Sequence, residues 1–190
     1  MAEQTPVRVS ALSGHIIPGH HGVEGSGVTI KEVPELNLWQ MAAWADTVEN
    51  AAATMAQQAG VSSVPGFTSA TGDHKLALLR IEPLKFWVFG ASVTSDNSEQ
   101  SVVLDLSHSR THLRLNGDKA TDLLNSYLPI DLREQSFPVN SVASTAFHHV
   151  GVTLWRSDAG YELFVPRGFA LSLWGLLHEA ALQFGLTVEP

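Results

Sequence analysis

Phe86-Trp87-Val88-Phe89 places four large apolar side chains in a row with no polar residue between them. Neighbours on a strand point to opposite faces, so this run offers nothing to water on either side. A chain containing it must build a sheet that is covered on both faces. Lys85 to Phe89 pairs naturally with Leu76 to Glu82 as a hairpin about Glu82-Pro83-Leu84. The material for such a core is present, since 44% of the 190 residues are hydrophobic. That length supports one domain or two small ones without staples.

Staples are in any case excluded in part, because the chain has no cysteine. A disulfide framework, a thiolate nucleophile, iron–sulfur ligation and a cysteine zinc site fall together. The net charge of −8, with no basic cluster, argues against binding nucleic acid, which needs grouped Lys and Arg. No apolar run approaches the roughly 18 residues of a membrane span. Met1-Ala2-Glu3-Gln4 has no basic region followed by an apolar one, so no secretory leader is expected and the cytoplasm is the default.

Residues 1–27 hold His15, His20, His21 and several glycines without periodicity, and read as an extended arm. Val28 to Val33 is a first strand, and Leu36 to Trp44 starts extended. Asp46 and Glu49 have capping-box spacing, and Val48, Ala52, Met55 and Ala59 share a helical face that Gly60 ends. The polar stretch Thr94 to Ser101 connects two halves, and Val102 to Leu106 reads as another buried strand. Arg110 to Leu115 alternates, with Thr111, Leu113 and Leu115 on one side and Arg110, His112 and Arg114 on the other. Ala120, Leu123, Leu124 and Tyr127 have helical spacing. Phe147 to Arg156 and Tyr161 to Val165 form a second hairpin about Asp158-Ala159-Gly160, Phe169 to Phe184 a helix, and Leu186 to Val188 a last strand. The order predicts an α+β protein of two related β-α-β-β-type units, 28–100 and 101–190, behind the arm 1–27. Leu78-Leu79-Arg80 and Leu154-Trp155-Arg156 are a faint shared trace of the two hairpins.

Val103-Leu104-Asp105-Leu106-Ser107-His108-Ser109-Arg110-Thr111 and Leu113-Arg114-Leu115-Asn116-Gly117-Asp118-Lys119-Ala120 carry a resemblance to a known family. So do Leu154-Trp155-Arg156, the run Tyr161 to Ala170, Leu173-Trp174, and Ile81-Glu82-Pro83-Leu84-Lys85-Phe86-Trp87. Together, over roughly Val28 to Val188, they resemble the gamma-subunit family of heterotetrameric sarcosine oxidase. That family has the aminomethyltransferase (folate-binding domain)-like fold. The resemblance implies a structural subunit with no cofactor of its own, in a complex with alpha, beta and delta chains. FAD, FMN, NAD, tetrahydrofolate and zinc would lie in those partners. The complex would oxidatively demethylate sarcosine or another N-methyl amino acid and pass the one-carbon unit to tetrahydrofolate. A gamma-type subunit of N-methylglutamate dehydrogenase fits the same residues, and a free-standing folate-binding protein is a further alternative.

The residues themselves offer few rivals. His15, His20 and His21 could ligate zinc, but they lack a periodic scaffold. Ser107 and His108 are adjacent on a strand and so badly placed for a nucleophile–base pair, and no Gly-x-Ser-x-Gly elbow exists. His148 and His149, read as strand neighbours, cannot chelate one ion. Gly22-Val23-Glu24-Gly25-Ser26-Gly27 lacks the Lys-Ser/Thr end of a phosphate loop. No catalytic, cofactor or metal residue is assigned. The helix Phe169 to Phe184 carries an apolar arc wider than a sheet-covering helix needs, which is either a deeply buried helix or a docking surface. Trp174, Leu177 and Ala181 are the candidate subunit interface, because Trp is enriched at interface centres. The charged fraction of 16%, against about 25% for a typical soluble protein, points the same way.

Overall fold

The computed structural model describes residues 8–94 and 99–190. Along the chain come β1 (Gly19–His21), β2 (Val28–Glu32), β3 (Leu38–Ala43), α1 (Val48–Ala59), β4 (Ala70–Gly72), β5 (Ala77–Glu82), β6 (Lys85–Phe89) and β7 (Ser101–Asp105). Then follow β8 (Arg110–Asn116), α2 (Ala120–Asn125), β9 (Val142–Phe147), β10 (Val150–Ser157), β11 (Gly160–Pro166), α3 (Ala170–Ala181) and β12 (Leu186–Glu189). The strands form two sheets, in the orders β1-β12-β2-β8-β11-β10-β9 and β4-β5-β6-β3-β7.

The unalternated run Phe86–Phe89 lies in the middle of the five-stranded sheet and is buried throughout. Phe86 and Val88 pack under α1 with Met41 and Met55. Trp87 and Phe89 turn the other way, against Trp155 and Phe164 of the seven-stranded sheet. The far side of that larger sheet is closed by α2 and α3, through Leu113, Leu115, Leu163, Leu173 and Leu177. The fold is thus α+β in four layers, helix, sheet, sheet and helices, with three apolar interlayers. Leu79 and Trp155, the central residues of the shared hairpin trace, both enter the middle interlayer, while Leu78 and Leu154 both face helices.

Sheet membership does not follow the boundaries 28–100 and 101–190. Strand β2 sits between β12 and β8 in the larger sheet, and β7 pairs with β3 in the smaller one. Each half therefore contributes a strand to the sheet of the other. The arm is also partly built in. Gly19–His21 pairs with Leu186–Val188, and Leu12 is fully buried. Met1 to Val7 of that arm, and residues 95–98 of the connecting stretch, lie outside the described residues.

Local differences have local causes. The Asp46–Glu49 capping box does not form, because the N-cap is Thr47, whose hydroxyl donates to the Gln100 carbonyl at 2.7 Å instead. Gly60 does end α1, at φ 73°, where only glycine is free of a Cβ penalty. His148-His149 is the tip of the β9–β10 hairpin, with Phe147 opposite Val150 and His148 at φ 53°, rather than strand interior. The helix predicted over Phe169 to Phe184 is α-helical only over Ala170–Ala181, with single 3-10 turns at Arg167–Phe169 and Leu182–Phe184. Strand β7 is an edge strand, and Val102 and Leu104 stand 55% exposed where a buried strand was expected.

Candidate functional site

A polar knot lies where the two sheets meet. Strand β11 aims Glu162 into the interlayer, and β8 aims His112 and Arg114 at it from the neighbouring register. Glu162 is fully buried. Its Oε2 accepts from His112 Nε2 at 2.6 Å, and its Oε1 accepts from Arg114 Nε at 2.7 Å and from the Ser157 hydroxyl at 2.7 Å. Burial pushes this carboxyl up, but the bonds from His112 and Ser157 and the Arg114 charge outweigh it and hold the group below its ordinary range. Burial drives the His112 pKa down, which keeps the ring neutral. A neutral ring that donates from Nε2 carries no proton on Nδ1. That agrees with the surroundings, since His112 Nδ1 is buried with no partner. An unpartnered acceptor there costs less than an unpartnered charge.

The ring is held flat against Phe164, with centroids 4.5 Å apart, and edge-on to Phe89 at 5.4 Å. Arg114 continues across the seam, donating from Nη2 to the His74 carbonyl at 3.3 Å. His74 in turn clasps Asp158 of the β10–β11 turn. Both oxygens of Glu162 thus have partners, and through Arg114 the network reaches from the larger sheet to the loop before β5. The sequence signal for it was a lone acid between Tyr161 and Leu163 in an otherwise apolar strand, opposite an alternating His-x-Arg.

The sequence-level candidates are dispersed. Trp174 keeps 4% of its surface and Leu177 and Ala181 none, all three within the core under the larger sheet. Much of the apolar arc of α3 packs on this chain's own α2 and sheet, while Trp174 also lines a cleft with Ile17, His21, Leu171 and His178. Ser107 takes the Leu38 N–H at 3.0 Å and donates its own N–H to Asp105 Oδ1 at 2.8 Å, which closes the turn after β7. His20 and His21 bond the Val23 and Ile17 carbonyls. Among the described residues no group of three or more His, Asp or Glu is arranged to hold a metal ion, and no helix is long and apolar enough to cross a membrane.

What the sequence did not signal is an exposed apolar strip on the smaller sheet. Val102 and Leu104 lie two apart on β7, opposite Ala42 and Gln40. Trp44, 56% exposed, follows β3, its main-chain N–H directed at the Gln100 carbonyl. Val102 and Leu104 share the face of Gln40, which bonds Trp87 on the side on which the larger sheet packs, but they stand beyond that sheet's reach. The outer edge of β7 has no strand beside it among the described residues. An edge strand bearing apolar side chains is a surface that soluble proteins ordinarily blunt or cover.

No family model matches the chain. It is 33% identical to a sarcosine oxidase subunit gamma from Arthrobacter sp., over 48% of this chain and 45% of that one, so the match spans about half the length of that relative. It is 29% identical to the sarcosine oxidase subunit gamma of Corynebacterium sp. (strain P-1), over 65% of this chain and 74% of the relative. Among solved structures, a chain of heterotetrameric sarcosine oxidase from Corynebacterium sp. U-96, in complex with pyrrole 2-carboxylate, superposes with a TM-score of 0.73. That superposition covers 86% of this chain and 88% of the other, at 25% identity. The glycine cleavage system aminomethyltransferase T from Bartonella henselae shares the fold, with a TM-score of 0.57 at 15% identity over 86% of this chain and 48% of the other. In sequence and in fold, this chain is similar to the gamma subunits of sarcosine oxidase.

Proposed function

We propose that the chain is the gamma-type subunit of a cytoplasmic, heterotetrameric sarcosine-oxidase-like enzyme, and that it acts by assembly rather than by chemistry. The observation that carries this reading is the balance of coverage. The superposition takes in nearly the whole of one chain of a heterotetramer, but only 48% of the fold-sharing transferase T chain. The fully bonded Glu162 supports it too, since the buried carboxylate at the seam is committed to structure. In this reading alpha, beta and delta chains hold FAD, FMN, NAD, tetrahydrofolate and zinc, and this chain holds none of them. The assembly demethylates sarcosine and passes the one-carbon unit to tetrahydrofolate. The docking surface is the strip Trp44, Val102 and Leu104, covered by a partner subunit that lies along the unpaired edge of β7.

Co-expression of the chain with its three partner chains tests this. A four-chain complex by native mass, with sarcosine oxidation lost when this chain is omitted, is the expected result. Full assembly and activity without it would overturn the reading, as would tetrahydrofolate or flavin bound stoichiometrically to the chain alone.

A further inference from the structure

The open half of the larger sheet carries a row of charges that the assembly reading does not use. Register places Glu189 of β12 beside Lys31 of β2, Lys31 beside Arg114 of β8, and Arg114 beside Glu162 of β11. Two cations thus stand directly opposite each other in the middle of the row. Like charges at opposed strand positions are destabilising. Arg114 is already matched, because its Nε is bonded to the buried Glu162. Lys31 is not, since among the described residues no carboxylate lies within 4.0 Å of its ammonium, Glu189 included. The two face a cleft of about 330 Å³ lined by Thr29, Lys31, Arg114, Asn116, Gly117 and Glu189. Asn116 spends its amide on Ala159 and Gly117, which leaves the Lys31 ammonium, Arg114 Nη1 and the Thr29 hydroxyl as donors without acceptors among the described residues.

We propose that this cleft binds a small monocarboxylate, held between the Lys31 ammonium and the Arg114 guanidinium with the Thr29 hydroxyl beside them. The two cations and two carboxylates of the row cancel, and Lys31 is the cation without a bonded carboxylate, so the cleft has a place for one added negative charge. A phosphate dianion would bring a second, between Glu162 and Glu189, and is the poorer fit. The planar guanidinium edge suits the two oxygens of a carboxylate. The site is independent of whether the chain assembles with partners.

The test is a titration of the full chain with acetate, followed through backbone amide shifts of Thr29, Lys31 and Arg114, with phosphate in parallel. Saturable shifts confined to the cleft are expected with acetate, and weaker ones with phosphate. Lys31→Gln should weaken acetate binding about tenfold or more, the effect of losing one charge-assisted hydrogen bond. It should also raise the melting temperature of the free chain, because the opposed cations are gone. Shifts that do not saturate, tighter binding of phosphate, or an unchanged affinity in Lys31→Gln would each overturn the proposal. A Lys31→Gln chain that melts earlier would do so as well, by showing that Lys31 is satisfied within the fold.

Discussion

Asp158 takes two hydrogen bonds from His74, a residue 84 positions earlier: one from the main-chain N–H at 2.8 Å and one from ring Nδ1 at 2.9 Å. The loop before β5 is thereby tied to the turn between β10 and β11, and the smaller sheet to the larger. The bond from the His74 ring, together with that from its main chain, holds the Asp158 carboxyl below its ordinary value of 3.8.

This clasp gives a pH dependence with a definite sign. A carboxyl whose pKa is lower folded than unfolded stabilises the protein above the unfolded value and loses that contribution as pH falls through the folded one. The melting temperature should therefore drop below about pH 4, and Asp158→Asn should flatten that part of the profile while lowering the plateau slightly. The pair is half exposed, so the change is small. Scanning calorimetry across pH 2.5 to 7 checks it, and an unaltered acid limb in Asp158→Asn would refute the link.

The buried knot predicts a much larger effect. Glu162→Ala strands the Arg114, His112 and Ser157 donors around an empty place, which costs about 3–5 kcal/mol. Urea denaturation of the isolated chain measures this. A loss comparable to that of a surface substitution would mean that the network contributes little.

Two sets of apolar residues should fail in different ways. Trp174→Asp puts a charge into the core beneath the larger sheet, and the isolated chain should lose its folded circular dichroism. Val102→Asp and Leu104→Asp alter side chains that already meet solvent. Those chains should stay folded with nearly unchanged melting temperature, yet fail to join the partner subunits. If Trp174→Asp folds normally but does not assemble, the roles of the two surfaces are reversed.

Hydrogen exchange separates the ordered part of the arm from the rest. Amides paired between β1 and β12 should exchange slowly, while those of Glu24 to Ser26, outside the sheet, exchange fast. Uniformly fast exchange from His15 to Gly27 would show that the β1–β12 pairing does not persist in solution.

Much of this architecture was legible because local pattern and tertiary role agree. Phe86–Phe89 has no polar face, so a two-sided covering followed directly. Alternation in Arg110 to Leu115 separated Leu113 and Leu115 from His112 and Arg114 correctly. It could not say that the second face is itself half covered, because that depends on how far the smaller sheet extends. Val102 and Leu104 look like core in sequence and become exposed only because β7 lies at a sheet edge. Trp174, Leu177 and Ala181 read as an apolar stripe of α3, but whether α2 or another chain packs against it is a question of packing partners. Asp46 and Glu49 have a cap's spacing, and lose to a longer-range bond from Thr47 to Gln100 that no local rule contains.

Interleaving of the sheets has a consequence for synthesis. Among the described residues β1 pairs with β12 alone, and β2 lies between β12 and β8. As the chain is synthesised, the first of these waits for residues 186–188, and the second waits for residues beyond 110. The smaller sheet is incomplete until β7 has emerged. Early apolar segments thus remain unpaired through most of translation, the interval in which nascent chains are open to wrong association. Deleting Leu186–Glu189 would take away one short strand in space and leave β1, far earlier in the chain, without its partner.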